Sequence, residues 1–150
     1  MPRYANGKFK PTNTDKYVGS TTPIYRSALE LQVFRFLDHH PSVIQWASEP
    51  MQIPYYNKLK REQTVYVPDL FIVYMTKSGE KRVELVEIKP KSQSFMSEAK
   101  SKTEKYAVAL NMMKWQAAAA YCKNKNMTFR IMTEEDIYLN AKGTKKRKKK

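Results

Sequence analysis

Two stretches decide how this chain folds: Val67-Pro68-Asp69-Leu70, and Leu85-Val86-Glu87-Ile88-Lys89-Pro90. Each reads as an apolar β-strand with charged residues set into its end. Unpaired charge is costly inside a packed sheet, so Asp69, Glu87 and Lys89 call for a use. Side chains alternate along a strand, which puts Glu87 and Lys89 on one face. Whether Asp69 joins them depends on the turn between the strands, taken as roughly Thr64–Met75 and Lys81–Pro90. A two-residue loop at Ser78-Gly79 would set Asp69 opposite Ile88 and separate the carboxylates. A three-residue loop, Lys77-Ser78-Gly79, sets Asp69 opposite Glu87, Phe71 opposite Leu85 and Val73 opposite Val83. It also gives Gly79 the left-handed third position that this loop type prefers. The other face then carries Leu70, Ile72, Val86 and Ile88, so the hairpin belongs in the middle of a sheet. Directly opposed carboxylates repel, and a shared cation would resolve that repulsion.

Working outward, Leu29, Val33, Phe36 and Leu37 follow a helical stripe, and a helix is expected from Pro23 to His39, stopped by Pro41. Residues 43–56 read as short extended pieces around Pro50 and Pro54, with Trp46, Tyr55 and Tyr56 as bulky packing. Met96–Asn124 reads as a long amphipathic helix, with Ala99, Tyr106, Leu110, Met113, Ala117 and Tyr121 on one face. A strand over Met127–Met132 precedes a short helix opened by Thr133-Glu134-Glu135-Asp136, whose acids suit the first turn. Helix, strands, helix, strand and helix make a single α/β domain: a central mixed sheet flanked by helices. Residues 1–22 read as an irregular arm, 23–140 as the domain, and 141–150 as a basic, low-complexity, disordered tail.

The composition narrows the function. A chain of 150 residues with 41% hydrophobic residues suits one packed core. Its formal charge is +14, and the seven cations from Lys142 to Lys150 supply only half of it. A body and a tail that are both basic call for a polyanionic partner, nucleic acid before an acidic membrane surface. One cysteine excludes an internal disulfide, and one Cys with two His argues against a zinc cluster. With neither a signal-peptide pattern nor a membrane-length apolar run, a soluble intracellular protein is expected.

Asp69 and Glu87 would supply hard oxygen ligands for Mg²⁺, with Mn²⁺ as a substitute. The cation would polarise a phosphate and acidify an attacking water. Lys89 would hold or deprotonate that water, or stabilise the pentavalent charge. The plain alternative is an edge strand whose charges reach solvent. Glu30 lies beside the apolar stripe of the first helix, where an ordinary flanking charge is equally natural. Lys91, Gln93 and Lys105 are weaker candidates for phosphate contact. His39 and His40 suit a helix C-terminus for dipole reasons, and Cys122 suits the core.

The order Glu30, Pro68-Asp69, Glu87-Ile88-Lys89 resembles the PD-(D/E)xK nuclease superfamily. More narrowly, Tyr25-Arg26-Ser27-Ala28-Leu29-Glu30, Trp46 to Pro50, Tyr66-Val67-Pro68-Asp69 and Leu85 to Pro90 are similar to TnsA-type endonucleases. So is Tyr121-Cys122 through Phe129 to Asp136. The similarity spans about residues 23–138, and in size and wording the whole chain is similar to phage head-completion nucleases. The resemblance implies a restriction-endonuclease-like core, Mg²⁺-dependent DNA cleavage, and Glu30, Asp69, Glu87 and Lys89 as the active set, the three carboxylates as metal ligands. It implies phage head or portal-neck proteins as partners, no membrane, and residence in the host cytoplasm during assembly and then in the virion. Many TnsA-like sequences carry Gln where Glu87 stands. The rival expectations are a structural head–neck protein with a vestigial site, a non-catalytic DNA-binding module, and a restriction or transposition subunit.

Overall fold

The strands order themselves around the hairpin. In a computed structural model that describes residues 6–90 and 101–136, β6 (Leu70–Met75) and β7 (Lys81–Ile88) pair antiparallel. Phe71 stands opposite Leu85 and Val73 opposite Val83, the register of the three-residue loop. Thr76 and Glu80 close that loop through the Thr76 N–H on the Glu80 carbonyl at 2.8 Å. Gly79 has φ +91°, a conformation that costs an L side chain and not a glycine. Outside the hairpin, β3 (Val43–Ser48) adds antiparallel to β6, and β8 (Thr128–Met132) adds parallel to β7. The order β3-β6-β7-β8 makes a mixed sheet with the hairpin at its centre.

The first strand of the expected hairpin is in fact two. β5 (Glu62–Tyr66) ends before Pro68 and pairs with β4 (Ile53–Asn57) in a separate two-stranded ribbon. Proline has no N–H to give a ladder, so the chain leaves one sheet at Val67 and enters the other at Leu70.

Two helices cover the sheet. α1 (Ala28–His39) begins five residues later than expected. Ser27 caps it, accepting the Glu30 N–H at 3.1 Å, while Ile24–Tyr25 forms strand β2 against β1 (Gly7–Lys8). Pro23 is buried ahead of the helix, not in its first turn. α1 buries Val33, Phe34 and Leu37 with Trp46, Leu70, Ile72, Val86, Ile88 and Met132. On the other face lies α2 (Lys102–Asn124), opened by a capping box between Ser101 and Glu104. It starts later than the expected Met96; Ala99, Lys91 and Gln93 lie outside the described residues. Ala118 and Cys122 are its fully buried positions, packed with Ile53, Tyr55, Tyr66 and Leu85. Tyr106, expected on that face, is exposed. Tyr56 is also exposed, because it alternates with the inward Tyr55.

Residues 6–22 carry little regular structure, yet they are fastened to the body. Tyr17 bridges Trp46 through the backbone, and its ring meets the Trp46 ring edge-on at 4.7 Å. Asp38, fully buried at the end of α1, accepts the Thr12 N–H at 2.8 Å and the Asn13 N–H at 3.3 Å. Both bonds go to Oδ2, whereas buried Glu84 is held at both oxygens, by the Tyr74 hydroxyl at 2.8 Å and Arg130 Nε at 2.9 Å. After β8, Thr133 caps a helical turn, its hydroxyl accepting the Glu135 N–H at 3.2 Å. The basic tail from Ala141 lies outside the described residues. No helix among them is long and apolar enough to cross a membrane.

Candidate active site

The sheet's charged end is built by the way β6 begins and β7 finishes. Asp69 precedes β6 by one residue, and its carbonyl accepts the Glu49 N–H at 2.9 Å, extending the β3–β6 pairing. Its side chain turns to the neighbouring strand: Oδ2 accepts the Ile88 N–H at 2.7 Å. Glu87, one residue earlier on β7, points to the α2 face, where the Tyr66 hydroxyl donates to its Oε1 at 2.5 Å. Lys89 continues past β7, its N–H on the Met132 carbonyl at 2.9 Å. Its Nζ lies 3.9 Å from Glu87 Oε2. Lys114 of α2 stands over the Tyr66 ring, 5.9 Å from its centroid.

Glu30 approaches from the other layer. It lines a small cleft with Arg26, Ser48, Glu49, Asp69 and Ile88. Its Oε1 accepts the Arg26 N–H at 2.7 Å, so the side chain helps finish the start of α1. Asp69, at the edge of the sheet, thus faces Glu87 on one side and Glu30 on the other.

The electrostatics follow from that crowding. Burial, then the Glu87 charge, push the Asp69 carboxyl up to about 7, with Glu30 adding to the rise and the Ile88 N–H and Lys89 opposing it. Burial also raises Glu87, against the Tyr66 hydrogen bond and the Lys89 and Lys114 charges. Tyr66 is driven far above its usual range by burial and by Glu87. Two half-buried acids that resist ionising together are short of positive charge. Their donors are hard oxygens, which suits Mg²⁺. Among the described residues, however, no three His, Cys, Asp or Glu side chains form a ready metal cluster. Glu30 is engaged at its helix cap by the Arg26 N–H, and its charge acts on both carboxylates.

Of the residues singled out from the sequence, Asp69, Glu87 and Lys89 share one end of the sheet. Lys105 is exposed on α2. His40 caps α1, and its Nδ1 accepts the Ser42 N–H at 3.0 Å. Tyr66, Lys114 and Glu49 were not anticipated. Tyr66 comes within reach only because β5 leaves the sheet, and Lys114 only because α2 crosses that end. Glu49 did carry a signal: a charged residue directly before Pro50, at the end of an apolar strand. It has a left-handed φ of 48° and a 2.7 Å ion pair with Arg26.

A mixed sheet whose central hairpin ends in Pro-Asp and Glu-x-Lys is the framework of a nuclease, and the chain belongs to the TnsA-like endonuclease N-terminal family, whose model matches residues 40–134. That span contains Asp69, Glu87 and Lys89 and stops short of Glu30. The chain is also 32% identical over 143 residues to the head completion nuclease of Enterobacteria phage T4, covering 88% of this chain and 93% of that protein.

Proposed function

We propose that this chain is a metal-dependent DNA nuclease that works in bacteriophage head completion, processing packaged DNA before head and tail join. The observation that carries the reading is the pair of half-buried carboxylates, Asp69 and Glu87, beside Lys89 in a TnsA-like chain. The head-completion role rests on similarity to the phage T4 protein. Phage head and portal-neck proteins would be its partners, and host cytoplasm and then the virion its places of work.

Asp69 and Glu87 would hold the divalent ion, with Glu30 joining once it releases the Arg26 N–H. The bound ion would supply Lewis acidity toward the phosphate and a more acidic water. The protein's own parts have separate duties. The Ile88 N–H fixes the Asp69 rotamer and leaves Oδ1 free of that bond. Tyr66 orients Glu87. Lys89, held near Glu87, positions the attacking water or offsets charge on the phosphorane as the P–O bond breaks.

Supercoiled plasmid incubated with Mg²⁺ tests the reading. Wild-type protein should nick or linearise it, and Lys89→Ala should lose at least about a hundredfold in rate, the usual scale for one electrostatic group. Equal rates for the two proteins would remove the enzyme reading and leave a structural head–neck protein with a vestigial site.

A further inference from the structure

The β4–β5 ribbon presents a surface that the cleavage chemistry does not use. Its inward residues, Ile53, Tyr55 and Tyr66, pack under α2. Its outward ones stay open: Tyr56 is 50% exposed and Val65 45%, with Gln63 paired beside Tyr56. The tip reads Lys58-Leu59-Lys60-Arg61, all exposed. It is a built turn: buried Asn57 accepts the Leu59 N–H at 2.9 Å and the Lys60 N–H at 3.1 Å through Oδ1. Arg61 holds a left-handed φ of 56°, where glycine would sit without strain. An arginine kept there sets a third cation at the tip. The Lys58 N–H meets Met113 Sδ at 3.3 Å, which fixes the tip to α2 one residue from Lys114. Lys114 in turn interacts with the Glu87 charge.

We propose that this ribbon is a duplex-DNA arm that lies in the major groove while its tip cations hold the flanking phosphates. The proposal rests on the nuclease reading for its purpose and on the ribbon's own chemistry for its partner. The major groove admits a two-stranded β-ribbon. Lys58, Lys60 and Arg61 complement phosphate charge, and Tyr56 and Gln63 offer a flat ring and an amide to base edges. From Tyr66, which touches Glu87, to Arg61 is five residues, or about 16 Å of strand. At about 3.4 Å per base pair, the tip grips DNA roughly five pairs from the scissile phosphate. The arm therefore fixes where a bound duplex is cut relative to the protein's hold on it.

Fluorescence anisotropy with a short blunt duplex in EDTA, across a salt series, tests the arm without cleavage. The Lys58→Ala/Lys60→Ala/Arg61→Ala variant should bind at least about tenfold more weakly, and its salt slope should fall by about 2.7, which is three phosphate contacts at about 0.9 each. Lys77→Ala, exposed at the β6–β7 turn, should keep both affinity and slope. Arg61→Gly covers the case in which the triple variant misfolds: relief of the left-handed strain should raise its Tm, while its slope falls by about 0.9. Unchanged affinity and slope in the triple variant and in Arg61→Gly would overturn the arm and turn the ribbon face over to a protein partner. Failure of wild type to bind duplex would also overturn it. If the tip variants lose DNA but wild type never cuts, the nuclease reading falls and the arm stands.

Discussion

Asp69 shows how one carboxyl can answer to stability and to chemistry in opposite directions. Below its ordinary value of 3.8 both the folded and unfolded chains hold the proton, and the residue costs nothing. As pH rises toward about 7, the unfolded chain ionises while the folded one keeps its proton. Stability therefore falls through that window and levels off above it. Asp69→Asn should raise stability at pH 8 by on the order of 2 kcal/mol, without the fall between pH 4 and 7, as chemical denaturation at several pH values would read. Divalent-ion affinity should run the other way, rising through about pH 7 as Asp69 gives up its proton, and calorimetric titration would follow it. That Asp69, Glu87 and Lys89 meet at one end of the sheet was legible, because strand alternation and one glycine-bearing turn are local facts. Tyr66 and Lys114 were not, since each depends on where a distant element crosses.

Turns and caps set the elements, and their signals in the sequence differ in how specific they are. The three-residue loop and its register followed from Gly79. Its φ of +91° with open space around the Cβ position means that Gly79→Ala should cost about 1 kcal/mol from backbone strain alone. Thermal unfolding would measure it, and a neutral result would mean that the loop relaxes. Pro23 suits a first turn in general, but α1 starts later because Ser27-x-x-Glu30 marks its cap. Ser27→Ala should cost about 1 kcal/mol, and Glu30→Gln should preserve the fold while impairing any role in ion binding. The split of the first hairpin strand was also legible in principle, because Pro68 cannot pair inside a ladder.

Across the whole molecule, the α/β class, the mixed sheet and the central place of the hairpin could be read from apolar runs and turn residues. The attachment of residues 6–22 could not, because it is made by one buried acid, Asp38, by a backbone bridge from Tyr17 to Trp46 and by rings from distant parts of the chain. Asp38→Ala should cost on the order of 2–3 kcal/mol, since it orphans two backbone N–H groups, and it should loosen Tyr17 from Trp46 as read by tryptophan fluorescence. Two helical layers and two sheets converge at one place, Asp69. Glu30 comes from the α1 layer, Glu87 and Lys89 from the sheet, Lys114 from α2 and Tyr66 from the ribbon. That convergence makes the account depend on a cation at a single point. A crystal soaked in Mn²⁺ and measured for anomalous scattering tests it most directly. A peak should bridge Asp69 and Glu87, with Glu30 turned toward it; protein that cuts DNA yet holds no Mn²⁺ between those two carboxylates would rule out a shared cation there.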